Sequence, residues 1–280
     1  AAPLGARIEA MHRMLDALVL GTREPAYMNG CGQMPVDLIL AIGAQSGTRA
    51  PGSGVMGGYG ILADGTGKLV ADGGLVPPLE FSAQTHAGAL GFEFSSGATL
   101  VVGNCGPAPG QLPESRNLFR HSSAHSAPTL DDVSSAHVGG RWFLADRMRP
   151  SGPAPQINHI EAENALELHS AAYRGRFGLD MVRRLTLMGA GHTLVGQDRF
   201  VAAGGGRVRE EMFNIRFHLA PGAAPERAGS EDMVRIVYKN GEVWAFLWEG
   251  AEAEIEESVR HSAHFGLLRT RQIVLTGKAR

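Results

Sequence analysis

The chain has 280 residues, of which 44% are hydrophobic, and a formal net charge of −2 at pH 7. That is enough apolar material for a sizeable core, and no global field draws the protein to nucleic acid or to an anionic membrane. No apolar run is long enough to cross a bilayer as a helix, so no transmembrane segment is expected.

The 38 glycines and 15 prolines favour strands and turns over long helices, because both residues interrupt regular elements. Cys31 and Cys105 are too few for a disulfide framework, and one bridge or two buried thiols both remain open. The chain starts Ala1-Ala2-Pro3, without an initiator methionine or a recognisable leader, as a processed or truncated chain would.

In chain order, Leu4, Ile8, Met11, Leu15 and Leu18 recur at the spacing of one helical stripe and predict a helix over 4–20. Tyr27-Met28-Asn29-Gly30-Cys31-Gly32 reads as a loop, and Pro35 starts a shorter helix to about Gln45. Beyond Pro51 the helical period disappears. Short β-rich runs bounded by Gly, Pro, Asn or Asp predict strands near 55–62, 68–72, 88–94, 98–103, 128–133, 157–162 and 164–170. Further strands are predicted near 181–188, 192–199, 211–218, 232–238, 243–248, 253–259 and 269–275. Asn240-Gly241 predicts a type I′ turn between two of them. The segments 104–117, 146–156, 201–209 and 220–231 read as loops, with Gly204-Gly205-Gly206 a flexible tip. Many short strands at close intervals point to a mainly β fold, a large two-sheet antiparallel sandwich.

One hairpin carries most of the functional signal. Thr85-His86-Ala87-Gly88-Ala89-Leu90-Gly91-Phe92-Glu93-Phe94 leads through Ser95-Ser96-Gly97 into Leu100-Val101-Val102-Gly103-Asn104-Cys105. Phe92, Phe94, Leu100 and Val102 have the period-two spacing of one sheet face, which brings His86 and Asn104 towards the open end. Together with Arg120-His121-Ser122-Ser123-Ala124-His125-Ser126, this stretch resembles the C-terminal β-domain of the heparinase II/III-like polysaccharide lyases.

That resemblance implies a β-sandwich over 51–280, preceded over 1–50 by the last helices of an α/α-toroid whose remainder would act in cis. It implies a carbon-oxygen lyase working by β-elimination on an acidic, uronate-containing polysaccharide or oligosaccharide. A cell-envelope or periplasmic location would go with that substrate. It also implies a structural zinc held by His86, Asn104 and His125. Asn104 stands where the metal-binding pattern has an aspartate, and an amide is a weaker ligand than a carboxylate. A buried hydrogen-bonded cluster of the same three residues is the alternative. Gln84 stands where a His-x-His arrangement would place a proton-handling histidine; it can orient a carboxylate but not act as a base. Gln84, Arg116, Arg120 and His121 are the candidate substrate-binding residues, since a guanidinium suits a uronate carboxylate or sulfate. No catalytic residue is assigned. A non-catalytic glycan-binding or structural module remains the second reading.

The remaining signals read as structural. Tyr27 and Asn29 either face an inter-domain cleft or cap a loop. Asp131-Asp132 reads as a polar sheet edge, and Arg183, Arg184, Arg207, Arg209 and Arg216 as solvated strand faces. The glutamates between Glu249 and Glu257 suit an exposed strand, and Trp244 and Trp248 share a half-buried stripe. Trp142 is a further aromatic able to stack on a sugar. No Gly-x-Ser-x-Gly elbow or other nucleophilic triad occurs.

Overall fold

The computed structural model describes residues 2–47, 52–139, 146–204, 210–229 and 232–279. Trp142, Arg207, Arg209, Gly205 and Gly206 lie outside the described residues. Helix α1 (Ala2–Leu18) and helix α2 (Val36–Ser46) occupy the two stretches predicted to be helical. The apolar stripe of α1 is not covered along its length: Leu4, Ile8 and Met11 are exposed. Only its carboxyl end reaches a core, where Leu18 packs beside Leu20, Ala26, Met28 and Val70.

Strands β1 (Gly54–Met56), β2 (Tyr59–Asp64), β3 (Gly67–Asp72), β4 (Phe92–Ser96), β5 (Thr99–Gly103) and β6 (Pro128–Leu130) come first. Next are β7 (Ala136–Val138), β8 (Met148–Pro150), β9 (Gln156–Ile160), β10 (Ala165–Ser170), β11 (Leu179–Met188) and β12 (Thr193–Ala202). The series ends with β13 (Glu211–Leu219), β14 (Ala224–Arg227), β15 (Met233–Val237), β16 (Val243–Leu247), β17 (Glu252–Ser262) and β18 (Gly266–Ala279). Short helices α3 (Arg116–Arg120) and α4 (Arg174–Phe177) interrupt the strands.

The fold is mainly β and antiparallel. The main sheet runs β1-β2-β3-β4-β5-β13-β18-β17, with β6 added alongside β13. Smaller sheets are β12-β11-β10-β9, β14-β15-β16 and β7-β8. One apolar core joins three of them: Leu69 and Phe94 from the main sheet, Leu166 and Leu185 from the second, Val234 and Ile236 from the third. A fully buried side chain of this size contributes about 1.5–3 kcal/mol relative to exposure. The sandwich is thus closed by two smaller sheets in place of the one expected.

Strand parity explains most of the burial. Along β11, Leu179, Met181, Leu185 and Leu187 point inward. Arg183 lies on that inward row and is buried, a correction to its expected solvated face. Its Nε and Nη2 donate to Asp198 at 2.6 and 2.8 Å, and its Nη1 donates to Leu90 O and Ser126 O at 2.9 and 3.0 Å. Burial of a guanidinium is tolerated in this form, paired and hydrogen-bonded. The side chain ties the approach to β4 to the segment after His125. Arg216 is half-buried and pairs with Asp132 at 2.8 Å, while Arg184 pairs with Glu163 at 2.5 Å.

Two turns differ from expectation. A bulge between Phe94 and Ser95 sets Phe94 opposite Val102 but Ser95 opposite Leu100. Leu100 therefore also reaches the small cluster around Val70, away from the Phe92 and Phe94 face. Between β15 and β16, only Gly241 takes a positive φ (85°), and its N–H donates to Tyr238 O at 2.9 Å. This is a type I turn followed by a left-handed glycine, not type I′. Asn240 Nδ2 donates to Thr99 Oγ1 at 2.7 Å, a tertiary bond that helps set the turn. Trp244 and Trp248 pack against the core as expected, Trp244 edge-on to Phe94.

Candidate ligand-binding cleft

A 3-10 turn over Leu79–Gln84 leads into Thr85 and His86, ahead of β4. Helix α3 and a second 3-10 turn, Ser122–Ala124, deliver Arg116, Arg120 and His125 to the same place. Gln84, His86, Arg116 and Arg120 line a cleft of about 310 Å³, together with Gly30 and residues 107–110. Both charged residues of that lining are arginines.

His86 and His125 are buried and meet edge-on, with His86 Nδ1 3.2 Å from His125 Nε2. His125 Nδ1 lies 2.9 Å from His121 O, a group that only accepts, so Nδ1 carries the proton. Burial, followed by His125 and the Arg120 and Arg116 guanidiniums, pushes His86 down to about 2; burial likewise brings His125 to about 4. Both rings are neutral at pH 7. His125 Nε2 then accepts, and His86 Nδ1 donates to it. The other nitrogen of His86, Nε2, lies beside Gly30, where an added Cβ would come within 3.2 Å of it. Gly30 takes φ 78°, so backbone and space both select glycine there.

Asn104 is buried as well, but its amide is used elsewhere. Nδ2 donates to Tyr27 O at 3.1 Å, and Oδ1 accepts from Ser126 N at 2.8 Å. His86 N donates to Asn29 Oδ1 at 3.3 Å. The segment 27–29 thus links both ends of the hairpin. Tyr27 is buried, and Asn29 also donates from Nδ2 to Tyr59 OH at 2.8 Å.

These donors do not fit the expected zinc. A structural zinc takes four ligands, and of the three expected here Asn104 already has both amide atoms bonded to backbone. Among the described residues no group of three or more His, Cys, Asp or Glu side chains is arranged to hold a metal.

The candidate binding residues divide. Gln84 is exposed on the cleft wall. Arg116 is half-buried; it donates to Ala83 O and stands 3.9 Å from Asp146. Arg120 is 1% exposed, and its donors go to Thr85 O, Ser82 O, Asp146 O and Asn117 Oδ1. Its contribution to the cleft is charge more than free hydrogen bonds. His121 is not part of the described cleft lining; its ring is exposed, and its carbonyl is the group in use.

Three buried charges support the site without having been singled out from sequence. Glu93 is 0% exposed on the face of β4 opposite Phe92 and Phe94. Its carboxylate accepts from Asn104 N at 2.6 Å, Tyr27 N at 3.0 Å and Arg260 Nη1 at 2.7 Å. The Arg260 guanidinium also lies 3.8 Å over the Tyr27 ring. Burial disfavours its charge, yet the Glu93 carboxylate outweighs that and raises its pKa. Asp72 accepts from Gly74 N at 2.7 Å and from Asn29 Nδ2 at 3.4 Å, and burial pushes its carboxyl up to about 7. The only sequence signal for Glu93 was an acid between two phenylalanines, which alternation alone assigns to solvent.

The fold is an antiparallel β-domain with a cleft where a hairpin, a histidine turn and a helical segment meet. The heparinase II/III-like C-terminal family model matches residues 46–280, and the chain belongs to that family. It is 27% identical over 300 aligned positions to FtsZ-localized protein C of Caulobacter vibrioides, covering 97% of this chain and 50% of that one. Among solved structures it is similar to heparan sulfate lyase HepC of Pedobacter heparinus, with TM-score 0.71, 14% identity, and coverage of 94% of this chain and 43% of the other. A heparinase III structure gives TM-score 0.71 at 11% identity, covering 99% and 46%. The chain therefore spans about half the length of its curated relative and less than half of these enzymes.

Proposed function

We propose that this domain forms the anion-holding wall of a lyase-type cleft and binds an acidic, uronate-containing glycan. The observation that carries the reading is a cleft whose charged lining is Arg116 and Arg120, with no carboxylate among its described residues. β-Elimination needs a neutralised uronate carboxylate, a base for the C5 proton and an acid for the leaving oxygen. Arg116 suits the first task, because part of its guanidinium fork remains available. The base is not evident in this domain. Gln84 does not titrate, and burial beside two arginines keeps His86 from taking a proton at neutral pH. Proton transfer is therefore assigned to groups of an α/α-toroid in the same protein. Residues 1–50 are read as the end of that toroid, and the exposed stripe of α1 suits packing against further helices. A cell-envelope location accords with such a substrate.

The test is to mix this chain with oligouronates, measuring binding by calorimetry and unsaturated product by ultraviolet absorbance. Saturable binding without product is expected. Turnover by this chain alone would overturn the division of labour, and absence of binding would overturn the glycan reading. A second reading, a binding module in a protein without lyase activity, is favoured by the curated relative, whose name describes localisation to FtsZ and not a reaction. Glycan binding without turnover by a toroid-bearing form would select it.

A further inference from the structure

We propose that His125 holds His86, without a metal, in the tautomer that presents a bare Nε2 to the cleft, where it accepts a hydrogen bond from a sugar hydroxyl beside the anionic group on Arg116. The ligand half of this statement rests on the glycan reading above; the histidine half does not.

The argument is one of hydrogen-bond direction. The His121 carbonyl cannot donate, so the proton on His125 is on Nδ1. His125 Nε2 is then an acceptor, and the 3.2 Å approach of His86 Nδ1 places the second proton there. Neither ring has a carboxylate partner among the described ion pairs, and burial leaves both imidazoles neutral. His86 Nε2 has no protein partner among the described residues, and Gly30 leaves the space in front of it open. A neutral acceptor next to Arg116 recognises a group that donates while an adjacent group carries negative charge. A hydroxyl neighbouring a carboxylate or sulfate is such a pair; two adjacent anions are not. His86 is thus a specificity-determining residue and His125 a positioning residue.

The test uses the full chain labelled with nitrogen-15, observed through its histidine side chains near neutral pH. The expected result is a proton on Nδ1 of both His86 and His125, with a scalar coupling between His86 Nδ1 and His125 Nε2. A His86 proton on Nε2 would overturn the proposal, as would binding of one equivalent of added zinc that shifts both rings. His125→Leu removes the acceptor and is expected to release the His86 proton from Nδ1 while leaving the fold signals elsewhere unchanged; an unmoved tautomer would overturn the positioning role. Should that variant not fold, the wild-type coupling still decides. An oligogalacturonate is expected to shift His86 Nε2, and its O-methylated form to bind about tenfold more weakly. Equal binding of the two forms would overturn the acceptor role. If neither binds while the coupling is present, the glycan reading falls, and the acceptor's ligand with it, but the metal-free pair stands.

Discussion

Two histidine relays hang from the same short turn, and they end differently. In one, His121 O sets His125, which accepts from His86, whose far nitrogen faces the cleft. In the other, His218 Nε2 donates to Ser123 O at 3.1 Å and its Nδ1 accepts from Ser258 Oγ at 2.7 Å. Both rest on a backbone carbonyl that dictates the tautomer. The second relay consumes its own capacity, since the Ser258 hydroxyl donates back into it and Cys105 Sγ lies 3.7 Å from the same ring nitrogen. Burial pushes that thiol up to about 11 and the His218 ring down to about 3, so this relay holds neither a ready thiolate nor a useful base. The contrast shows that one hydrogen-bond scheme serves as a brace or as a binding group according to what its last atom faces.

Breaking both relays together requires removing what anchors their turn. Ser126 N donates to Asn104, and Asn104 N donates to Glu93. Glu93→Gln leaves Arg260 buried without its counter-charge and is expected to cost about 3–5 kcal/mol, read from urea unfolding. Acid separates the relays next. The His218 pKa lies below its ordinary 6.5, so between about 3 and 6.5 the unfolded chain binds the extra proton and stability falls as pH falls. Asp72 has the opposite sign: raised from 3.8 to about 7, it favours the folded state as pH falls through that window. The lowered histidines outnumber it, so a net acid loss is expected. His218→Gln should flatten the urea-midpoint profile by about 1.4 kcal/mol per pH unit in that range.

The cleft end is sharpened by its two arginines. Arg116→Ala is expected to weaken oligouronate binding about tenfold with little change in stability, by calorimetry and thermal melting. Arg120→Ala should instead lower the melting temperature, because four acceptors lose their donor. The smallest effect is expected at the closed relay, where Ser258→Ala should cost about 1 kcal/mol and leave glycan affinity unchanged.

What the sequence determined by itself was whatever local periodicity encodes. Alternation placed β10 to β13 and β15 to β18 within a few residues, the three-to-four apolar stripe placed α1, and Pro35 marked the start of α2. The three-residue β8 and the four-residue β14 show no period and were read as loop, and the three-residue β7 gave no strand signal at all. The motif around His86 and His125 was enough to pick out both histidines and the arginines near them. Tertiary structure alone decided which way each polar group turns. The register of β4 and the loop above it put Glu93 under Tyr27, the inward row of β11 took Arg183 into the core, and Asn104 was claimed by two backbone groups before any metal could use it. The physical reason is that a buried charge or amide survives only where folding brings it partners, and those partners are distant in sequence.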